Sequence, residues 1–239
     1  MNLRIFDDHE ALSAAVADEI VRRVEKRPRS IVLLTGGSTA RRAYELLGSM
    51  PRRPRIAAQP VVWVMIDERM VPSYHADSNG RMIQESLFSL GIPTGHQFVR
   101  FRTDLGDAAR VAREFEAELR GAVGEDPIDL ALLGVGPDGH TASLFPGTEV
   151  LEESERWARE VWVPRLDAWR VTVTLPVLRA ANERWLIASG DEKRQIIGAI
   201  RDGADVPVAR VIEGRESWWF VDRAAWDPEE SLAAERGRR

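Results

Sequence analysis

The sequence predicts an α/β fold, a mostly parallel Rossmann-like sheet flanked by helices on both faces. Three observations predict it. Short β-branched runs recur at Ile31 to Thr35, Val61 to Ile66, Asp129 to Leu133, Val171 to Leu175 and Trp185 to Ser189. Stretches of helical period lie between them. The runs are continuously apolar and do not alternate, as strands buried on both sides should be. Strands alternating with helices argue for a parallel sheet, because every parallel step needs a crossover.

The elements follow in order. From Asp8 to Lys26, residues Leu12, Val16, Ile20 and Val24 fall four apart and stripe one helix face. The strand at Ile31 runs into Gly36-Gly37-Ser38-Thr39, and a helix follows from about Ala40 to Leu47. Pro51 to Pro60 is a basic, proline-broken connector. After the strand at Val61, Asp77-Ser78-Asn79 reads as the cap of a helix running to about Leu90. Asp104 to Val123 repeats the stripe through Ala108, Ala112, Phe115 and Leu119, with Asp104 as N-cap and Gly121 or Gly124 as stop. Asp191 to Arg201 is a third striped helix, with Ile196, Ile197 and Ile200 inward. Trp218 and Trp219 precede a final strand and read as core.

The chain of 239 residues reads as a single domain over 1–239, with a polar tail from about Asp227 that has room for a short helix near Ser231 to Glu235. The formal net charge of -5 argues against a general nucleic-acid binder, which needs a basic surface, but leaves room for a local anion site. With no cysteine, disulfides, thiolate metal sites and a cysteine nucleophile are excluded. The four histidines, His9, His75, His96 and His140, show no zinc spacing, so no metal and no cofactor are expected; His75 reads as a surface residue. The first residues turn acidic at Asp7-Asp8 before any signal-peptide core, and no apolar run is long enough to span a membrane. A cytoplasmic protein without membrane or nucleic-acid partners, monomeric or weakly homo-oligomeric, is the expectation.

Ligands of open parallel sheets bind where strands end at their carboxyl edge. Gly36 to Thr39 offers tight backbone, free helix N–H groups and two hydroxyls, which suit a phosphate or serve as a plain capped turn. Asp67-Glu68-Arg69 ends the second strand, either as a solvated loop or as an acid/base and anion-binding cluster. Gly134 to Gly147 is the most unusual segment, holding Asp138 and His140 between glycines. Histidine is the commonest general base, and a nearby aspartate can fix its tautomer. The spacing of Gly134, Gly136 and Gly139 spells a dinucleotide fingerprint, but Pro137 and His140 interrupt it and Phe145-Pro146-Gly147 ends any helix early. Arg170 opens the fourth strand. Lys193 lies in the first turn of the last striped helix, against the dipole, where a bound anion would offset the cost.

The combination resembles the 6-phosphogluconolactonase family, within the group that also holds the glucosamine-6-phosphate isomerases. The resemblance rests on Thr35 to Thr39, Asp67 to Pro72 with Ser78-Asn79, Leu133 to Gly147, Arg170 to Leu178, and Gly190 to Lys193. The run from Asp138 to Gly147 is the strongest match and favours the lactonase branch over the isomerase pattern Asp-Gly-His-Ile-Ala-Phe-Asn-Glu-Pro. Ala40 replaces a usual proline, and Met70 a usual cysteine or tryptophan. The resemblance implies hydrolysis of 6-phospho-D-glucono-1,5-lactone in the oxidative pentose phosphate pathway. It implies that Gly37, Ser38, Thr39, Arg170 and Lys193 hold the phosphate. His140 would be the general base and Asp138 its orienting partner. Arg69 would meet the oxyanion or product carboxylate, and Asp67 would bind sugar hydroxyls or position Arg69. An amino-sugar-phosphate isomerase/deaminase and a non-catalytic sugar-phosphate sensor are the alternatives.

Overall fold

The computed structural model describes residues 2–214 and 216–226. Its strands are β1 (Asn2–Phe6), β2 (Ser30–Leu34), β3 (Val61–Met65), β4 (Asp67–Arg69), β5 (Gln97–Val99), β6 (Leu130–Leu133), β7 (Ala158–Val163), β8 (Ala168–Val173), β9 (Glu183–Ala188) and β10 (Ser217–Asp222). Its helices are α1 (His9–Glu25), α2 (Ser38–Leu47), α3 (Arg52–Ile56), α4 (Asn79–Ser86), α5 (Ala108–Val123), α6 (Leu175–Ala180), α7 (Arg194–Arg201) and α8 (Pro207–Ile212).

Seven strands form one sheet in the order β1-β10-β9-β6-β2-β3-β5. Every neighbouring pair is parallel. Every residue of β2, β3 and β6 is buried, as their unbroken apolar runs require of strands covered on both faces. Chain direction explains the layers. The steps β1 to β2, β2 to β3 and β3 to β5 move one way across the sheet, and the later steps move back. Right-handed crossovers therefore place α1, α2 and α4 on one face and the later elements on the other. Consistently, α1 packs on α2 and α2 on α4, whereas α5 packs on β7 and β8.

Local chemistry sets the element ends. Asp8 caps α1, its carboxylate accepting from the Ala11 N–H at 2.8 Å. Leu12, Val16, Ile20 and Val24 are all buried beneath that helix. Among the described residues, no helix is long and apolar enough to cross a membrane.

The structure corrects several expectations. The fourth strand, β8, ends at Val173 and belongs to a separate antiparallel sheet, β4-β8-β7. This sheet grows from the first at Ile66, between β3 and β4, whose carbonyl accepts from the Val173 N–H at 2.7 Å. Asp107, not Asp104, caps α5, because Gly106 at φ 82° breaks the chain between them. The helix after β9 begins as a tight turn at Asp191–Lys193, so Lys193 is the cap of α7 and not an interior residue. The helix α2 starts at Ser38, two residues earlier than its pattern suggests, and α4 stops at Ser86. The connector at 51–60 holds the short α3. Trp218 and Trp219 lie inside β10; Trp219 is buried and Trp218 half-buried. The tail from Asp227, with the short helix near Ser231 to Glu235, lies outside the described residues.

Candidate active site

The strands β9, β6, β2 and β3 are consecutive in the sheet, and the segments leaving their carboxyl ends surround one cavity of about 450 Å³. The chain leaves β2 in one direction and β6 in the other, so the cavity sits at the topological switch point. Gly37, Ser38, Thr39, Asp67, Arg69, His140, Arg170 and Lys193 all line it. Asp138 stands behind His140 and is bonded to it.

The β2 end is built for close approach. A Cβ on Gly36 would lie 2.1 Å from Asn79 Oδ1. Gly37 has φ 97°, a conformation open to glycine, and caps α2. The first turn of α2 holds no acidic side chain. Its N–H groups and the Ser38 and Thr39 hydroxyls are therefore open to an anion.

The β6 end folds back on itself, Gly136 N–H donating to the His140 carbonyl at 2.9 Å. His140 Nδ1 lies 2.5 Å from Asp138 Oδ1. The carboxylate can only accept, so Nδ1 carries the proton and Nε2 is left as the acceptor. Burial works to raise the Asp138 carboxyl, but the His140 hydrogen bond and charge, with Arg165 behind them, outweigh it and hold it below the usual carboxylate range. A Cβ on Gly136 would fall 2.0 Å from the His140 ring, so only glycine leaves the imidazole its place. Phe145 packs against that ring at 4.2 Å between centroids. Ala142, in the same loop, adopts a left-handed φ of 49°, a strained backbone at the cavity edge.

The cluster after β3 is split in two by strand alternation. Asp67 is buried at the cavity. It accepts from Ser143 Oγ at 2.7 Å and from Asn79 Nδ2 at 3.2 Å. Burial raises its carboxyl above the usual range despite those bonds and the charge of Arg69. Glu68 points the other way. It accepts from Ser78 Oγ and from the N–H groups of Arg69, Asn79 and Gly80, each at 2.8 Å, and so fastens the start of α4. Burial raises Glu68 as well, in spite of these bonds. The solvated-loop reading of this segment is thereby set aside.

Arg69 and Arg170 sit directly opposite each other across the β4–β8 ladder. Burial lowers Arg170, and the neighbouring Arg69 lowers it further. Opposed like charges destabilise a sheet unless an anion sits between them. Lys193 reaches the cavity from the segment after β9. That segment is tied down by Asp222, which accepts from Ser189 Oγ at 2.5 Å and from the Gly190 N–H at 3.1 Å. Among the described residues, Arg69, Arg170 and Lys193 form no ion pair; Arg69 and Arg170 bond only backbone carbonyls. Likewise among the described residues, no group of three or more His, Asp or Glu side chains could hold a metal. His75, read as a surface residue, is exposed beside Asp77.

A family model described as glucosamine-6-phosphate isomerases/6-phosphogluconolactonase matches residues 7–220. The chain belongs to this family. It is 34% identical to the human 6-phosphogluconolactonase, over 93% of this chain and 92% of that one. It is 30% identical to the 6-phosphogluconolactonase of Mycobacterium tuberculosis, over 94% and 96%. The solved 6-phosphogluconolactonase of Trypanosoma brucei superposes with a TM-score of 0.80 at 27% identity, covering 97% of this chain and 98% of that chain. A monomeric glucosamine-6-phosphate deaminase superposes at 0.79 with 19% identity, covering 94% of this chain and 98% of that chain, and shares the fold.

Two residues at the site were not singled out in the sequence: Arg165, which lines the cavity, and Asp222, which ties down the segment holding Lys193. Asn79 read as part of a helix cap, and it and Ser143 lay in stretches that carry the family resemblance, but neither was given a role. Ser143 meets Asp67 from 76 residues away in the chain.

Proposed function

We propose that this protein hydrolyses 6-phospho-D-glucono-1,5-lactone to 6-phospho-D-gluconate, a step of the oxidative pentose phosphate pathway. One observation carries the reading. An imidazole held by a carboxylate, with Nε2 unclaimed among the described residues, shares a cavity with three cations that form no ion pair among those residues. The relatives named above and the Asp138–Gly147 run support the lactonase branch of the family.

In this mechanism the α2 amides at Gly37, Ser38 and Thr39 hold the phosphate with Arg170 and Lys193. Anchoring the far end of the substrate orients the ester carbonyl. His140 Nε2 takes a proton from water as the oxygen attacks the carbonyl carbon. Asp138 balances the imidazolium that forms. Arg69 stabilises the oxyanion and then the product carboxylate. The tetrahedral intermediate collapses, the bond to the ring oxygen breaks, and His140 returns its proton to that oxygen. Asp67 accepts from a sugar hydroxyl. The protein acts in the cytoplasm on a small sugar phosphate, as a monomer or a weak homo-oligomer.

The deciding experiment is a continuous assay with freshly prepared lactone, corrected for spontaneous hydrolysis. Saturable hydrolysis well above background is expected. Ammonia release from glucosamine 6-phosphate would assign the chain to the deaminase reaction instead. Binding of 6-phosphogluconate without turnover would make it a sensor.

A further inference from the structure

Arg165 lies outside the roles above and touches every member of the base cluster. It sits on the tight turn Pro164–Leu166 between β7 and β8, which ends at Asp167 in a left-handed conformation. Its Nη2 is 2.9 Å from Asp138 Oδ2, while His140 holds Oδ1. Its guanidinium lies 5.0 Å over the Phe145 ring, which packs on the His140 imidazole. The same Nη2 is 3.5 Å from His140 Nδ1. With Nδ1 protonated, that pair is a donor beside a donor, so the contact is one of charge and not a hydrogen bond.

We propose that Arg165 is the positioning residue of the general base: it divides the Asp138 carboxylate with His140 and so fixes the imidazole in the orientation that accepts a proton at Nε2. This deepens the lactonase reading and rests on it. A carboxylate bonded through one oxygen is free to rotate about its side chain. Bonded through both, it presents a fixed edge to the imidazole. Other groups near His140 do not duplicate this. Asp67 acts on it only through space. Arg69, Arg170 and Lys193 line the cavity but form no bond to the pair. The α8 segment that meets Gly139 presents the apolar Val206.

The inference fits the placement of the turn. An arginine 48% exposed in its side chain is not needed for the core, so its removal tests chemistry more than folding. Its position also explains why the β4-β8-β7 sheet matters to a site otherwise built on the parallel one. The hairpin brings Arg170 to the cavity from its strand and Arg165 from its turn.

The test compares wild type, Arg165→Gln and Arg165→Lys by two readouts. One is the split between kcat and KM for the lactone. The other is the NMR resonance of the His140 Nδ1 proton, identified by its loss in His140→Asn. In Arg165→Gln the kcat should fall roughly 3–10-fold from lost orientation, with KM changed less than about twofold. The Nδ1 proton resonance should broaden, because the carboxylate that holds it is bonded through one oxygen only. Arg165→Lys should restore most of both. If Arg165→Gln raises KM about tenfold and leaves kcat and the resonance in place, Arg165 is a substrate arm and the proposal is overturned. If nothing moves, it is a surface ion pair and the proposal is again overturned. A wild type without turnover whose Nδ1 proton resonance still broadens in the variant would sink the lactonase reading and leave the positioning role standing.

Discussion

Two parts of the cavity lining satisfy their polar groups in opposite ways. In the first, Asp138 bonds both His140 and Arg165, and Asp67 bonds both Ser143 and Asn79. In the second, Arg69, Arg170 and Lys193 reach the same space with no carboxylate matched to them among the described residues. The arginines elsewhere show what an ordinary surface does with such charge: Arg42, Arg52, Arg55 and Arg210 each find an acidic partner. The contrast separates two tasks. Proton transfer needs geometry set before the substrate arrives, so its groups are held by the fold. Anion binding needs charge left uncompensated, so its groups are kept apart from the fold's own acids.

The largest effect should come from the prearranged part. Replacing His140 with Asn keeps the size and a donor but removes the base. Turnover should fall by about 10²–10⁴, the usual worth of general-base catalysis, while binding of 6-phosphogluconate stays near wild type. Single-turnover kinetics and calorimetric binding check the two halves separately. A variant with wild-type turnover would remove His140 from the mechanism. A variant that loses binding in step with turnover would break the division between the two parts.

The cation set should behave as its mirror image. Arg170→Ala and Lys193→Ala should each raise KM about 10–100-fold, the worth of a charge-assisted hydrogen bond, with a much smaller change in kcat. The set also predicts stability without ligand. By mass action, 6-phosphogluconate at a hundred times its Kd should add about 2.7 kcal/mol, or roughly 5–10 °C in Tm. Thermal melts of wild type and Arg170→Met, with and without ligand, would sharpen this. The variant should melt no lower than wild type alone and gain much less from the ligand. A variant markedly less stable alone would show that Arg170 serves the fold first.

How far this contrast could be read in the sequence depends on how local its causes are. The parallel sheet was legible, because buried strands show as unbroken apolar runs and α1 as a fourfold stripe. So was the gathering of the nine candidate residues at one cavity, since each lies near a strand end or on a motif that keeps its order along the chain. The second sheet was not. β8 has the same apolar look as the parallel strands, and only its pairing with β4 and β7 makes it antiparallel. The three-residue strands β4 and β5 lack enough length for a periodic signal, and β1, as long as β2, lacks its unbroken buried run because Arg4 interrupts it at the sheet edge. Asp104 and Asp107 both fit a cap by type, and the choice is made by the positive φ of Gly106. The division of Asp67 from Glu68 turns on which side of β4 each points, a matter of register. Arg165 and Asp222 needed the folded chain, as did the roles of Asn79 and Ser143, since each is set by a partner in another segment.

Asp67 gives the smallest predicted effect and the finest test of the comparison, because it belongs to the prearranged part yet carries a charge that burial opposes. Its carboxyl is raised in the folded state. Between the ordinary carboxylate value and that raised value, the folded protein holds the proton more tightly than the unfolded chain. Stability therefore falls as pH rises through that window, and above it the ionised Asp67 is a net cost. Asp67→Asn keeps the shape. Its Oδ1 can still accept from Asn79, and the Ser143 hydroxyl can turn from donor to acceptor. The variant should melt roughly 2–4 °C higher at pH 7, the size of about 1 kcal/mol in a chain of this length, and the gain should vanish in acid where Asp67 is protonated anyway. KM should rise if the carboxylate accepts from a sugar hydroxyl. A lower Tm at pH 7 would mean that the bonds from Ser143 and Asn79 outweigh burial. Asp67 would then be structural in the sense that Glu68 is, and the line between the two parts of the cavity would have to be drawn at His140 alone.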